Sequence, residues 1–426
     1  GSRLEKPAIV QFPLNRDSSA QSWATPRYEV LNDVPTDRPF LKIREVRQLT
    51  QGPKHHFFGY YGISPWNASG RLLAFLQTDF GAQPVMETDK ATICVMHMEK
   101  DEVRHVAETN AWNFQQGAML HWLPSDPERK IIYNDRADGA LCAVLLDVES
   151  GETRRLPRPV AAVSPSGKSA ASINYARLAD MRPGYGYAGV PDPFADALHP
   201  EDDGLYVMDL ESGEYKLIVS MDRVFHAEKP PEAFLKKKMW FNHVLFSRDD
   251  SRIFFMARYK QDTGPLVTAA FTVNRDGTEL RCVLPYSWGA SHYDWLDDRR
   301  MVVVSRYQGG TKWLHVFFTD GGDDYTPLAP ERLQRDGHCH FSRDGKWMVT
   351  DSYPQGPDRM RSLYVMDMAE QQVAELVRFH EPAEYKGEWR CDLHPRWNHD
   401  GTQICIDAAC DGTRQVYIVH LEMTGE

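Results

Sequence analysis

The chain has little cysteine, and its seven cysteines form no pattern that would bind zinc or build a disulfide framework. None stands in a Cys-x-x-Cys pair, and an odd number cannot all pair with one another. No run of about 18 apolar residues occurs, so no membrane-spanning helix is expected. Positive charge is also scarce: the net charge of -11 argues against nucleic acid or an anionic membrane as the main partner.

The length of 426 residues is enough for two or three ordinary domains. A repeated architecture can instead place the same length in one domain, because each repeat packs only on its neighbours. Residues 1–40 are rich in proline and polar residues and show no period, which predicts an extended N-terminal lead-in. Residues 41–50 alternate between apolar and polar side chains, as a strand does.

From residue 60 onward the sequence repeats a unit of four strands. The second half of each unit is a hairpin with a polar turn, and these hairpins lie at 93–108, 141–157, 204–220, 269–285, 313–330, 362–379 and, incomplete, 415–422. The first half is a pair of strands around a turn of the Phe-Ser-x-Asp-Gly kind. These pairs lie at 60–77, 117–135, 160–178, 242–259, 291–307, 337–353 and 392–409.

Seven such units predict an all-β fold, a single seven-bladed β-propeller over residues 41–426. The last unit lacks its outer strand, so the strand at 41–50 is predicted to complete that blade and close the ring. A pair of all-β sandwiches is the alternative. Two insertions, 179–203 and 221–241, fall on the same face of the predicted ring and enlarge one rim, where a binding site is expected.

Four histidines occupy one position of the repeat, three residues before the bulky residue at the turn: His243, His292, His338 and His394. Residues two apart on a strand face the same way, so the position two residues later, which holds Asp294 and His340, is predicted to face the channel too. A lone histidine near an aromatic residue is more often part of a core. Four in one register of adjacent blades favour a functional site.

His338 and His340 form a His-x-His pair that can supply two nitrogens to a divalent metal, and His292 can add a third. Such donors suit Mn, Zn, Fe or Ni better than Ca or Mg. His243 lies one blade further, and a neutral imidazole is a suitable general base. His394 is predicted to be a fourth ligand or a substrate contact.

Cationic and phenolic residues end the second strand of several units on the enlarged rim, among them Tyr175, Arg177, Arg258 and Arg306. An arginine fork binds a carboxylate through two parallel hydrogen bonds, so Arg258 and Arg306 are predicted to contact an acidic substrate. The stretch HHFFGYY at 55–61 enters the first blade on the same face. It predicts sugar contacts at His56 and Tyr61, with core packing of the two phenylalanines as an equal alternative.

The pattern Asn242-His243, His292 and His338-Cys339-His340 followed by Phe-Ser-Arg-Asp-Gly resembles oligogalacturonate lyase and the related propeller polysaccharide lyases, including those of ulvan and rhamnose–glucuronate type. The similarity covers units four to seven. It implies a Mn-type ion held by three His and a Gln, and a separate His base. Matched by position, the metal ligands are His292, His338 and His340 and the base is His243, while Gln334 is near but not at the spacing of the family's Gln. Mn is the leading cofactor, with Zn or Ca as alternatives.

The resemblance implies a lyase that cleaves a uronic-acid-containing polysaccharide or oligosaccharide by metal-assisted β-elimination. His243 would remove the C5 proton, Arg177, Arg258 or Arg306 would bind carboxylates, and Tyr175 would protonate the leaving oxygen. The expected partner is an acidic glycan, with no nucleic acid and no membrane insertion. A carbohydrate target favours a periplasmic or secreted location, and a cytoplasmic one stays open.

Two other functions stay open. A glycoside hydrolase of rhamnosidase type would act on the same kind of glycan, but hydrolysis usually needs two carboxylates, and Asp294 is the only acid in the channel register. A non-catalytic propeller would bind glycan or protein through its rim. That function predicts no metal and tolerance of His243→Ala.

Overall fold

The computed structural model describes residues 9–11, 27–33 and 41–423, which form seven antiparallel sheets around a central channel. This is the predicted seven-bladed β-propeller, with each sheet as one blade. The two α-helices of the described residues are Tyr175–Met181, which runs into the insertion 179–203, and Met221–Ala227, which begins the insertion 221–241. No helix in the described ranges has the length and apolar character that a membrane crossing requires.

The strands of each blade follow chain order from the channel outward. Blade 1 contains His55–Phe57, Leu72–Thr78, Ala91–His97 and Glu102–Thr109. Blade 2 contains His121–Trp122, Lys130–Ala137, Ala140–Asp147 and Thr153–Leu156. Blade 3 contains Ala162–Val163, Ser169–Ser172, Gly204–Asp209 and Tyr215–Ser220. Blade 4 contains Trp240–Phe246, Arg252–Tyr259, Val267–Asn274 and Arg281–Leu284.

The remaining blades keep the same order. Blade 5 contains Tyr293–Trp295, Arg300–Ser305, Leu314–Thr319 and Thr326–Pro327. Blade 6 contains His340–Phe341, Trp347–Asp351, Met360–Asp367 and Val373–His380. Blade 7 contains Arg396–Trp397, Gln403–Ala408 and Gln415–Met423. Single 3-10 turns lie at Glu232–Phe234, Tyr307–Gly309 and Gly387–Trp389.

The N-terminal part of the chain closes the ring, as predicted. Leu41–Gln48 pairs with Gln415–Met423 and is the outer strand of blade 7. Two pieces of the predicted lead-in also add strands at outer edges: Ile9–Gln11 on blade 1 and Tyr28–Asp33 on blade 6. The rest of the lead-in, at 1–8, 12–26 and 34–40, lies outside the described residues.

The innermost strands are shorter and less regular than the repeat predicted. Blade 1 begins with His55–Phe57 rather than at residue 60, and several inner strands have only two residues. The backbone leaves the strand conformation at two of the four register histidines, with φ of 58° at His243 and 47° at His394. Pairing also shifts register between Asn242 and Leu245. Such bulges re-aim side chains, so residues two apart need not face the same way.

The second strand of blade 3 also differs from the prediction, which carried it to residue 178. It ends at Ser172, and the helix Tyr175–Met181 follows. Asn174 caps this helix, since its side-chain oxygen accepts a hydrogen bond from the backbone N–H of Arg177 at 2.9 Å. Tyr175 and Arg177 therefore lie in a helix and not at the end of a rim strand.

Candidate active site

Two cavities occupy opposite ends of the central channel. One, of about 320 Å³, is lined by His243, His292, His338 and His394 and by side chains of the enlarged rim; we call it the histidine funnel. The other, of about 460 Å³, is lined by the turns between first and second strands, together with His121, Asp294 and His340; we call it the opposite cavity. The two register positions that were predicted to converge are therefore separated along the channel.

Tyr60 and Tyr61 line both cavities and stand between them. We call this pair the tyrosine floor. The Tyr60 hydroxyl lies 2.7 Å from Nδ1 of His243 and 2.9 Å from the Tyr293 hydroxyl, and the Tyr61 hydroxyl accepts the backbone N–H of Tyr293 at 3.1 Å. The aromatic ring of Tyr61 also packs on His338 and His394, at centroid distances of 5.2 and 6.1 Å. The floor thus supports the histidines of the funnel.

A cluster of possible metal ligands lies on one side of the funnel. One ligand atom each from His338, Asp392 and His394 can be chosen so that all lie within 4.8 Å of one another. The His292 ring is adjacent, with its centroid 3.9 Å from that of His338. Three imidazoles and one carboxylate form a donor set that suits a divalent transition metal.

Two carboxylates, the half-buried Asp336 and the buried Asp351, orient two of these imidazoles. Nδ1 of His292 lies 2.8 Å from Asp336, and Nδ1 of His338 lies 2.8 and 2.9 Å from the two oxygens of Asp351. When Nδ1–H donates to the carboxylate, Nε2 is left free as a ligand, which is the usual arrangement around a metal-bound histidine. Burial lowers the pKa of His338, but Asp351 and its acidic neighbours outweigh burial and the pKa is raised. The site therefore attracts positive charge.

Asp392 is held between two arginines while one of its oxygens stays available. Arg361 Nη1 lies 2.8 Å from Oδ1, and Arg390 Nε lies 2.9 Å from Oδ2. Oδ2 nevertheless accepts no hydrogen bond of acceptable geometry. Burial raises the pKa of this carboxyl, but Arg390 and Arg361 outweigh burial and hold the pKa well below its usual range. A buried anionic oxygen without a hydrogen bond is a suitable ligand atom.

The predicted third member of the ligand set, His340, lies elsewhere. It lines the opposite cavity, where its Nδ1 is 3.0 Å from Asp294. Gln334 lies on the surface, where it hydrogen-bonds to Lys312 and to the carbonyl of Pro330. The structure therefore groups His394 and Asp392, not His340 or Gln334, with His338 and His292, because the inner strand of blade 6 does not carry both of its histidines to the same end of the channel.

His243 stands beside this cluster and is held neutral. Burial, followed by the positive charges of Arg258 and Arg182, holds its pKa well below the usual value. The Tyr60 hydroxyl is its hydrogen-bond partner at Nδ1. The imidazole is thus unprotonated near pH 7, as a general base must be.

A positively charged region also lines the funnel and contains Arg258 and Arg182. The Arg258 side chain is buried, and its Nε and Nη1 have no hydrogen-bond partner. Burial and the nearby Arg182 lower the pKa of Arg258 to about 9. Nη1 of Arg182 is also buried and without a partner. Unpaired guanidinium groups are costly to bury, so this pair is suited to binding an anionic ligand.

Arg177 and Tyr175, the predicted catalytic pair, are not in the funnel. The Arg177 guanidinium is buried and bonded to Asp192 and to the carbonyls of Met239, Phe194, Ala197 and Leu198. The Tyr175 hydroxyl donates to the carbonyl of Val160 at 3.2 Å, and its ring stacks on Tyr187. Both side chains are committed to holding the inserted segment in place.

Only some of the other predicted substrate contacts line the funnel. Tyr61 and His394 line the funnel, as Arg258 does. His56 is buried in blade 1 between Gln415 and Gln77, so it packs within the fold and does not reach the funnel. Arg306 is half-buried next to Trp313, with its Nε unpaired, but it is not among the lining residues of the funnel.

The fold has solved counterparts. It is similar to oligogalacturonate lyase from Vibrio parahaemolyticus, at 15% sequence identity over 98% of each chain, with a TM-score of 0.64. It is equally similar to an oligogalacturonate lyase in complex with manganese, at 16% identity over 98% of this chain and 99% of the other, with a TM-score of 0.65. The β-propeller domain of the Trilobed protease from Pyrococcus furiosus is less similar, at 11% identity over 87% and 99% of the two chains and a TM-score of 0.53.

At these identities the likeness establishes the propeller fold alone. No family model and no curated protein sequence matches the chain. The site must therefore be interpreted from its own geometry.

Sequence reasoning missed Arg182 and Tyr185, which line the funnel, and the neighbouring pair Arg390 and Asp392, of which Asp392 lies next to His338 and His394. Asp392 lies two residues before His394, so an Asp-x-His signal was present beside the His-x-His of the preceding unit. Arg182 and Tyr185 lie in the insertion 179–203, and no period fixes the direction of a side chain in such a segment. Arg390 lies just before the last unit, where the sequence shows no repeat.

Proposed function

We propose that the protein is a carbohydrate lyase that cleaves a uronic-acid-containing glycan by metal-assisted β-elimination. One observation carries the proposal: the base His243 lines the same cavity as the histidines of the ligand cluster and as the unpaired guanidinium groups of Arg258 and Arg182. β-Elimination next to a carboxylate needs a base, and it needs positive charge where the enolate-like charge develops. The funnel contains both.

His292, His338 and His394, with Asp392, would hold the cation. Their fit rests on the free Nε2 atoms behind the pairs His292–Asp336 and His338–Asp351, and on the available oxygen of Asp392. A bound divalent cation would withdraw electrons from the substrate carboxylate and make the adjacent C5 proton more acidic. Mn, Zn or Fe suits this donor set, and Mn is our first choice.

His243 would remove the C5 proton through Nε2. This requires the tautomer in which Nδ1–H donates to the Tyr60 hydroxyl, which in turn donates to Tyr293. Burial raises the pKa of Tyr60 to about 12, so Tyr60 stays a neutral phenol while it orients the imidazole. In this tautomer the tyrosine floor holds His243 with Nε2 as the proton-accepting atom.

Arg258 and Arg182 would bind a carboxylate of the substrate. Arg258 carries two N–H groups without partners into the funnel, and a bidentate carboxylate can occupy them. Satisfying a buried guanidinium in this way gains more than binding at an exposed arginine, because the cost of burying the charge has already been met by folding. The acidic substrate is thus accommodated in a protein whose net charge is -11.

The test combines metal analysis with an absorbance assay. The protein is dialysed against Mn²⁺, freed of excess ion and analysed for bound metal. It is then mixed with pectic, ulvan and gum-type oligosaccharides, and the ultraviolet absorbance of the unsaturated product is followed for wild type and His243→Ala. We expect bound metal in both proteins and absorbance gain with the wild type alone. No metal and no absorbance gain with any uronide would overturn the proposal, and reducing sugar released without absorbance would indicate hydrolysis.

A further inference from the structure

We propose that Tyr185 is the acid that protonates the leaving oxygen, an inference that rests on the proposed lyase function. Tyr185 lies in the insertion 179–203 and lines the histidine funnel. Its ring meets the ring of His243 edge-on, with centroids 6.2 Å apart. An acid and a base that act on neighbouring bonds of one substrate must stand close together, and this pair does.

Two arginines surround the phenol. Arg390 Nη2 donates a hydrogen bond of 2.5 Å to the Tyr185 hydroxyl, and the Arg182 guanidinium lies over the ring, 3.7 Å from its centroid. Both contacts stabilise a phenolate more than a phenol, because each places positive charge against the group that becomes negative. Tyr185 is therefore placed where the loss of its proton is favoured.

The other tyrosines of the funnel are unsuited to this task. Tyr60 and Tyr61 have no guanidinium at their hydroxyl oxygens, and their hydroxyls take part in the floor contacts with His243 and Tyr293. Burial raises the pKa of Tyr60 to about 12 and that of Tyr61 still further above its usual value. Burial likewise raises the pKa of Tyr353, despite the nearby Arg390. Of the four tyrosines that line the funnel in the described chain, Tyr185 alone has a lowered pKa.

The charged surroundings of Tyr185 explain that direction. Burial by itself raises the pKa of Tyr185, but Arg182 and Arg390 outweigh burial and the net shift is downward. Asp392 acts against the two arginines, and the phenol also faces the titratable groups of Arg258, His243, Tyr60 and Tyr353. A general acid works best when its pKa lies near the working pH, so the downward shift brings an ordinary tyrosine closer to use.

His243 and Tyr185 together account for every proton that moves in the elimination. His243 takes the C5 proton, and the electron pair of that C–H bond becomes the second bond between C4 and C5. The C4–O4 bond breaks, its electron pair leaves with O4, and O4 takes the proton of Tyr185. The imidazolium of His243 then returns its proton to the phenolate of Tyr185. No water, oxidant or reductant is consumed, and both residues end in their starting states.

The first test varies the leaving group with Tyr185→Phe. On a pectic triuronide we expect the variant to lose about 10²- to 10⁴-fold in kcat, the usual contribution of a general acid. On a uronide with 4-nitrophenol at O4, which departs as an anion without a proton, we expect less than about a tenfold loss. Exchange of the C5 proton with deuterated water should persist in the variant, because His243 is intact. Tyr187→Phe, a buried neighbour bonded to Asn134, is the control and should keep wild-type rates.

The second test needs no turnover. An ultraviolet titration of wild-type holoprotein minus that of Tyr185→Phe isolates one phenol, and we expect it to ionise below the ordinary value of about 10. Arg182→Met should move this titration upward in pH. A phenol that titrates above the ordinary value, or equal losses with both leaving groups together with lost C5 exchange, would overturn the assignment. Inactivity of the wild type on every uronide would instead overturn the proposed function, and the acid role with it.

Discussion

At the level of single residues, the charge state of His243 decides how the site responds to pH. Burial, Arg258 and Arg182 hold its pKa well below the usual value. A base must be unprotonated, so on the acidic side activity should fall where the pH drops through this lowered pKa. We expect the acidic limb of kcat/KM to lie below pH 6.5, the ordinary histidine value. A pH–rate profile from about pH 4 to about pH 8 measures the position of this limb. An acidic limb at or above pH 6.5 would contradict the lowered pKa of His243.

Two histidine substitutions on neighbouring blades distinguish the proposed set of metal ligands from the set that the family resemblance implied. His394→Ala removes a member of the funnel cluster, whereas His340→Ala removes an imidazole that lines the opposite cavity. We expect His394→Ala to weaken metal binding by at least about 10- to 100-fold, the cost of losing even an orienting partner, and His340→Ala to bind as the wild type does. Calorimetric titration with Mn²⁺ compares them. Equal loss in both would favour the His-x-His set that the family resemblance implied.

Among the elements, the helix Tyr175–Met181 and the segment after it depend on one buried ion pair. Arg177 and Asp192 are both almost fully buried and lie 3.1 Å apart. Arg177→Met leaves the Asp192 charge without its partner, and we expect a loss of about 3–5 kcal/mol in the free energy of unfolding. Denaturant unfolding measures this loss. Hydrogen exchange should also rise across 182–203, the segment that contains Arg182 and Tyr185.

The matched control for this helix variant is a surface pair. Arg155 and Asp138 lie 2.7 Å apart with side chains 56% and 88% exposed. Exposed pairs contribute little because water screens them, so Arg155→Met should change stability by less than about 1 kcal/mol. A similar loss in both variants would show that Arg177 does not hold the segment in the way described.

The blades could be predicted from the sequence, but only part of the candidate site could. The blades follow from an alternation of period two and from turns rich in Asp and Gly, both local properties. His243, His292, His338 and His394 followed from the repeat, because equivalent strands bring equivalent residues to one level. His340 and Tyr175 could not be placed, because the inner strand of blade 6 is shortened to His340–Phe341 and a helix replaces the end of the predicted strand in blade 3, and neither change disturbs the repeat. Arg182 and Tyr185 reach the site from an insertion, where no period applies.

For the whole molecule, ring closure rests on the strand Leu41–Gln48. It pairs with Gln415–Met423, and Leu41 and Ile43 are buried in the core of blades 6 and 7. Removing residues 1–48 exposes that core and leaves blade 7 with an open edge. We expect a melting temperature lower by about 10 °C and concentration-dependent self-association through the free edge.

Calorimetry and size-exclusion chromatography test this closure. Removing residues 1–26 is the matched control, because it shortens the chain but keeps the closing strand. The control should stay monodisperse with a melting temperature close to that of the full chain. Equal destabilisation by both deletions would show that residues 27–48, the closing strand included, add nothing to stability.

The tyrosine floor determines how a bound molecule can enter and leave the central channel. Tyr60 and Tyr61 are hydrogen-bonded to His243 and Tyr293 and lie across the channel. The histidine funnel is therefore open at one end only. A glycan chain cannot be threaded from one face to the other. Under the proposed function, the substrate would enter and both products would leave through this one opening. Substrate entry and product release would then compete with each other.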